Sequence, residues 1–217
     1  MYVPTQRDPH PTAGPPWWLL IGPGFAALIG LFLLTVIYRF DGRATLQIEL
    51  GMSNQALLLS GLVAYLVAAA IAFPAGLLLG ARFPTAVTVP AICSMLLGVV
   101  LVAFTPEGVL FLVARVLNGL GAGAVIGVTI ALLRRLRTGR GAAAGVTAGL
   151  GVLALAIAPV LGGLLSDAVG FRVVYLVAAV FVFAALVVAG VIGIVAVMKT
   201  KPPAQSMPYP PQGPPHA

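Results

Sequence analysis

Charge is what this sequence has least of. Of 217 residues only 17 are charged, 12 basic and 5 acidic, and that 8% compares with about 25% in an ordinary soluble domain. Cysteine and histidine are nearly absent as well. Cys93 stands alone, which excludes an internal disulfide, and it is expected to pack as a small apolar residue. The two histidines, His10 and His216, sit near the chain ends, so no imidazole is available for metal or proton chemistry within the apolar regions. No Walker lysine, metal-ligand cluster or nucleophile–base pair can be found. An enzyme is therefore the least supported class, and no cofactor or metal is expected.

What is present is long uncharged sequence. Charge is missing for 30 residues between Asp8 and Arg39, and for 32 between Glu49 and Arg82. Further gaps hold 24 residues (83–106), 18 (116–133), 26 (141–166) and 26 (173–198). A helix crosses a bilayer with roughly 20 mostly apolar residues, so each gap holds one crossing, the fourth reaching back through Arg115. Membrane barrels show short alternating segments instead, and 26 glycines suit helices that pack closely in lipid. The expected fold class is an all-α, polytopic membrane protein with six transmembrane helices. The expected spans lie near 17–38, 55–80, 84–104, 108–133, 141–165 and 171–198.

Charge placement orients the bundle. Arg134, Arg135, Arg137 and Arg140 crowd the connection between the fourth and fifth spans. With Arg7, Arg82, Lys199 and Lys201, the side holding both termini has eight basic residues, against Arg39, Arg43 and Arg172 on the other. Basic residues accumulate on the cytoplasmic side, so a multi-pass protein of the cell membrane with both termini cytoplasmic is expected. The same distribution argues against nucleic acid as the partner of the +7 net charge. Residues 1–16 form one Pro-rich cytoplasmic tail, and no signal peptide is evident before the first span. Residues 199–217 form the other, with seven prolines among 201–217. Such tails favour solvated polyproline II and suit either a bare solvated segment or a Pro-recognising partner.

Within the spans, Trp17, Trp18 and Tyr38 suit interfacial anchors. Pro74, Pro90 and Pro159 mark bends or breaks. A faint repeat links Pro74 to Leu78, closing the second span, with Pro159 to Leu165, closing the fifth. Two three-helix repeats of opposite topology are a recurrent transporter device.

Arg115 is the most costly residue. It lies about eight residues into the fourth span, and estimates for an arginine in mid-membrane run from ~3 kcal/mol to above 10. It calls for a wet cavity, a partner acid, or helix-end carbonyls that would make it structural. The only acids outside the N-terminal tail are Asp41, Glu49, Glu107 and Asp167. If the first helix runs on through Ile48, Asp41 enters the bundle and can pair with Arg115 as a proton-coupling device. If it stops at Tyr38, the segment around Asp41 is an ordinary solvated loop. Two glycine series at four-residue spacing, Gly119-Gly123-Gly127 and Gly141-Gly145-Gly149, each lay a smooth strip along one helix face. The run from Gly149 to Ala154 fits a dinucleotide-binding pattern but has no preceding strand, which excludes a cofactor loop.

These residues resemble the N-terminal six-helix half of a major facilitator superfamily transporter, closest to its drug:proton antiporter branches, over roughly residues 50 to 198. The run from Arg115 to Gly123 is similar to the family's arginine–glycine motif in helix four. The resemblance implies a place for Arg115 in the central cavity and in proton coupling, with Asn118 where a glutamine is common and Tyr65 suiting the pattern of helix two. Gly145, Pro159, Gly162 and Gly163 keep the spacing of the antiporter signature, while Ala154 and Ala158 replace two of its glycines. Gly170-Phe171-Arg172 with Tyr175 resembles the start of the family's sixth helix. In the loop after the second span, Gly76 opens the family's gating motif, but Gly80 stands where an aspartate is expected and Arg82 is displaced by one. An acidic latch is absent or rebuilt there.

The resemblance implies a half-size secondary transporter exporting small amphipathic molecules with proton coupling. Its bundle would need a second one, from another copy as a homodimer or from a separate half. The competing reading is a non-transporting membrane scaffold or accessory subunit derived from a transporter half. A small-molecule channel ranks third, for want of a charged or carbonyl-rich ring.

Overall fold

The computed structural model describes residues 17–38, 45–136 and 139–199. Among them the fold is all-α, with six helices long and apolar enough to cross a membrane: α1 (Trp17–Thr35), α2 (Asn54–Gly80), α3 (Pro84–Phe104), α4 (Gly108–Arg135), α5 (Arg140–Val169) and α6 (Phe171–Met198). A separate five-residue helix, Thr45–Glu49, lies between the first two.

Local chemistry sets the ends. Ser53 caps α2 by accepting from the Ala56 amide at 3.1 Å. Pro84 opens α3, where its missing N–H costs nothing. Gly139 (φ 70°) precedes α5 and Gly170 (φ 84°) ends it, both in backbone regions that side-chain-bearing residues avoid. The α5–α6 turn thus needs a single residue. The first helix stops at Thr35, short of the expected Tyr38, and a turn closes with the Tyr38 amide on the Thr35 carbonyl at 3.0 Å. The helix does not continue through Ile48, and it ends within three residues of the expected boundary. Asp41, with Arg39 and Arg43, lies outside the described residues.

The prolines do not interrupt their helices. Pro74, Pro90 and Pro159 each lie inside a continuous helical stretch, as lipid-embedded helices allow when neighbours take up the freed carbonyls. The irregularity lies elsewhere, in a π-helical turn of α2 over Leu58–Val63. There the Ala64 amide bonds five residues back to Leu59, and the Ser60 hydroxyl occupies the Ala56 carbonyl at 2.6 Å. Hydroxyl back-bonding of this kind loosens the helical ladder.

Packing follows a two-fold rule. Helix α4 packs on α2, α3 and α1; helix α1 packs on α5, α6 and α4; α3 and α6 pack on each other. Exchanging α1 with α4, α2 with α5 and α3 with α6 maps this set of pairs onto itself. Each half makes three crossings, so the halves begin at opposite ends and form inverted repeats. The order α2, α4, α1, α5 makes one layer, with α3 and α6 behind it. Helix α4 is the hub: 61% of its most apolar window is buried, against 22% for α2 and 17% for α5 at the layer's edges.

Small residues make the hub possible. A methyl group on Gly119, Gly123 or Gly127 would strike the α2 backbone at Tyr65, Ala69 and Phe73, and one on Gly76 would strike Ala124 of α4. Backbones this close gain van der Waals contact that lipid cannot match. Cys93 departs from expectation: it is exposed on the outside of α3 rather than packed inside.

Candidate functional site: a buried arginine held by backbone carbonyls

Arg115 is completely buried. Its Nε donates to the Gly61 carbonyl at 2.8 Å, one terminal nitrogen to Leu33 O at 2.8 Å, and the other to Leu34 O at 3.0 Å. Leu33 and Leu34 belong to the last turn of α1, where carbonyls lack intrahelical partners and the negative end of the helix dipole collects. Gly61 belongs to the π turn of α2, whose wider winding presents a carbonyl sideways. The guanidinium also lies 4.6 Å from the centre of the Tyr65 ring. Three charge-assisted bonds at about 1.5–3 kcal/mol each and a desolvated cation–π contact of about 2 kcal/mol are of the size needed to offset a burial cost of ~3 to above 10 kcal/mol. Among the described residues no carboxylate pairs with Arg115. Helix-end carbonyls, one of the alternatives open from sequence, supply two of the three acceptors, while the pairing with Asp41 lies outside the described residues.

Tyr65 is buried beneath the arginine and donates its hydroxyl to Gly30 O of α1 at 2.6 Å. Tyr38 reaches the Leu57 carbonyl at 3.5 Å, the outer limit of a hydrogen bond. Tyr175 of α6 is buried with its hydroxyl facing Arg115. One cluster thus joins the far ends of α1, α2, α4 and α6.

The structure brings Arg115 and Tyr65 together, but not Asn118. That side chain is buried against α3, where a methyl on Gly98 would lie 2.6 Å from its Oδ1. Both amide atoms lack hydrogen-bond partners among the described residues. In α5 the motif residues divide between faces. Ala158 and Gly162 are buried, Gly162 so tightly that a methyl would strike the Val36 backbone, and Thr35 bonds the Leu155 carbonyl nearby at 3.3 Å. Ala154, Pro159 and Gly163 are half-buried. Gly145 is exposed, and with Gly141 and Gly149 has nothing within 4 Å of a would-be methyl group.

The loop motif also acquires a physical reading. Gly76 and Gly80 are packing glycines at the α2–α4 crossing, and Arg82 is exposed. A Cβ on Gly80 would lie 2.6 Å from Val128 Cγ2 and 2.9 Å from its Cα. No aspartate fits at that position against this neighbour.

Hollows flank the layer. One of about 380 Å³ lies between α1, α4 and α5, lined by residues such as Leu31, Ile126, Ile130 and Leu155. Another of about 410 Å³ lies between α2 and α4, around Val63, Val67, Ile71 and Leu120. Their lining is apolar except for Thr129 and Thr147, whose hydroxyls are tied to their own helix at Val125 and Ala143, each at 2.8 Å.

Sequence reasoning offered helix-end carbonyls as a class of partner but did not name Leu33, Leu34 or Gly61, and it noted Tyr175 only for its place at the start of the sixth helix. Backbone acceptors carry no side-chain signature, although Ser60-Gly61 within an apolar span is the kind of pair that loosens a helix.

Six apolar helices in inverted three-helix repeats around a charged, carbonyl-bound residue define a multi-pass membrane protein of secondary-transporter type. A sequence profile described as the Major Facilitator Superfamily matches residues 24–214, and the chain belongs to that superfamily of membrane transporters. No curated protein matches the sequence.

Proposed function

We propose that this bundle is one wall of a proton-coupled export pathway for small amphipathic molecules, completed by a second six-helix bundle from another copy or a separate unit. The observation that carries this reading is the layer α2, α4, α1, α5. Within the layer the edge helices are the least buried, the hollows are apolar, and the glycine strip Gly141-Gly145-Gly149 meets no neighbour. Alternating access needs two such layers facing one another. A wall whose hydroxyls are turned back onto their own helices favours cargo with a large apolar surface.

In this reading Arg115 governs coupling by holding the end of α1 and the π turn of α2, with Asp41 following six residues beyond Thr35 in the chain. Tyr65 and Asn118 are the further cavity-side candidates, and the face of α5 carrying Ala158, Pro159 and Gly162 limits leakage by close packing on α1. Both termini lie on the cytoplasmic side.

Proteoliposomes carrying a pH gradient test the reading directly. Uptake of a fluorescent lipophilic cation that collapses with the gradient, together with an inter-bundle cross-link through a cysteine at Gly145, is the expected result. A strictly monomeric protein without gradient-driven flux overturns it.

The alternative is a non-transporting scaffold. It is favoured by one observation, the Gly80–Val128 contact that leaves no room for an acidic latch. Under that reading Arg115→Ala would lower assembly and leave efflux phenotypes untouched.

A further inference from the structure

We propose that the carbonyl oxygens of Leu33, Leu34 and Gly61 form a monovalent-cation site, and that its resident cation is the chain's own Arg115. Each guanidinium nitrogen takes one carbonyl, at 2.8, 2.8 and 3.0 Å. Two of these oxygens come from the dipole-negative end of α1 and the third from the π turn of α2. The Tyr65 ring closes one side at 4.6 Å. The buried Tyr175 hydroxyl adds a neutral oxygen nearby.

Neutral oxygens converging from a helix end and an irregular turn are the ligand set with which membrane proteins take sodium or potassium ions. An aromatic face adds affinity for guanidinium and other diffuse cations. Here the ligand is covalently tethered and cannot lose its proton, so the site stays filled whatever the ionic composition. Three helices are thereby held in register without a borrowed ion. One corollary rests on the transporter reading: flux by this protein has no sodium requirement.

The test is made on the full chain in lipid nanodiscs, by thermal unfolding, and does not depend on transport. Unfolding is followed against guanidinium, Na+ and K+ at millimolar concentration, with ionic strength held constant by a bulky organic cation. The wild-type midpoint is expected to ignore all three. Arg115→Ala is expected to unfold at lower temperature and to recover in a saturable way with guanidinium, less so with the alkali ions. A variant that ignores every cation overturns the proposal. So does full stability of Arg115→Ala without addition. Recovery in the double variant Arg115→Ala/Asp41→Asn without added cation also overturns it, since that behaviour belongs to an ion pair. Should Arg115→Ala not be recoverable from membranes, Arg115→Lys is compared with Arg115→Met. The charged side chain is expected to give folded protein and the neutral one of similar length to fail; equal behaviour of the two sinks the assignment.

Discussion

Tyr65 donates its hydroxyl to the Gly30 carbonyl at 2.6 Å while its ring lies under the Arg115 guanidinium. One side chain therefore clamps α1 and supports the buried charge of α4. Its two contributions separate by substitution. Tyr65→Phe keeps the ring and removes a second donor from a carbonyl already bonded within α1, and is expected to cost about 0.5–1.5 kcal/mol. Tyr65→Leu also removes the aromatic face and is expected to cost about 2 kcal/mol more. Unfolding in mixed micelles, comparing the two variants with wild type, measures the difference.

The two glycine strips make opposite predictions. Gly123→Ala puts a methyl group into the α2 backbone at Ala69 and is expected to destabilise the bundle by about 1–3 kcal/mol through overpacking. Gly145→Ala meets open space and is expected to change stability by less than about 0.5 kcal/mol. A bulkier Gly145→Leu is expected to leave the isolated bundle as stable while abolishing association with a second one. Sedimentation in matched-density detergent, alongside unfolding, separates the two effects.

Restoring the aspartate of the helix-two loop motif is expected to damage this protein rather than repair it. Gly80→Asp drives a side chain into Val128 of α4 and partly buries a new charge. Folded yield in membranes is expected to fall. The double variant Gly80→Asp/Val128→Gly removes the obstructing side chain and is expected to recover part of that yield, which fluorescence-detected size exclusion reads directly.

Orientation is testable at two connections. In a Cys93→Ala background, Glu107→Cys and Gly139→Cys place thiols at opposite ends of α4, both at exposed positions. With the arginine-rich end inside, an impermeant maleimide added to intact cells is expected to label Glu107→Cys alone. Gly139→Cys is expected to react only after permeabilisation, and the reverse pattern would invert the bundle.

The fold was legible because hydrocarbon leaves a strong imprint on composition. Charge gaps located all six helices, and the Pro84 start follows from residue chemistry alone, but the fifth helix runs four residues beyond the expected 165 to Val169 and leaves Gly170 as the whole turn. The first helix was harder. Val36 to Tyr38 carry no charge or proline to mark a stop, and the end coincides with the Leu33 and Leu34 carbonyls meeting Arg115, a tertiary contact. The π turn was hidden for the same reason, while Pro74, a louder signal, leaves its helix continuous. Arg115 could be singled out because its cost is intrinsic. Its partners could not, since main-chain oxygens look alike at every position. The glycine strips were visible as patterns, but which of them is covered depends on neighbours that a helical wheel cannot name.

Asn118 is a buried amide whose oxygen and nitrogen have no hydrogen-bond partners among the described residues. Leaving such a group unpaired away from water costs about 1–3 kcal/mol, a cost that close packing alone would not retain. Gly98 is the counterpart that makes room for it, since a methyl there would meet Oδ1 at 2.6 Å. Asn118→Leu is close in volume and carries no polar atoms, so it is expected to match or exceed wild-type stability. If the amide serves transport, the same variant is expected to lose gradient-driven flux while unfolding later. Stability and flux moving in opposite directions would mark Asn118 as retained for function. Stability and flux falling together would instead place its hydrogen bonds in the packing of α3 on α4.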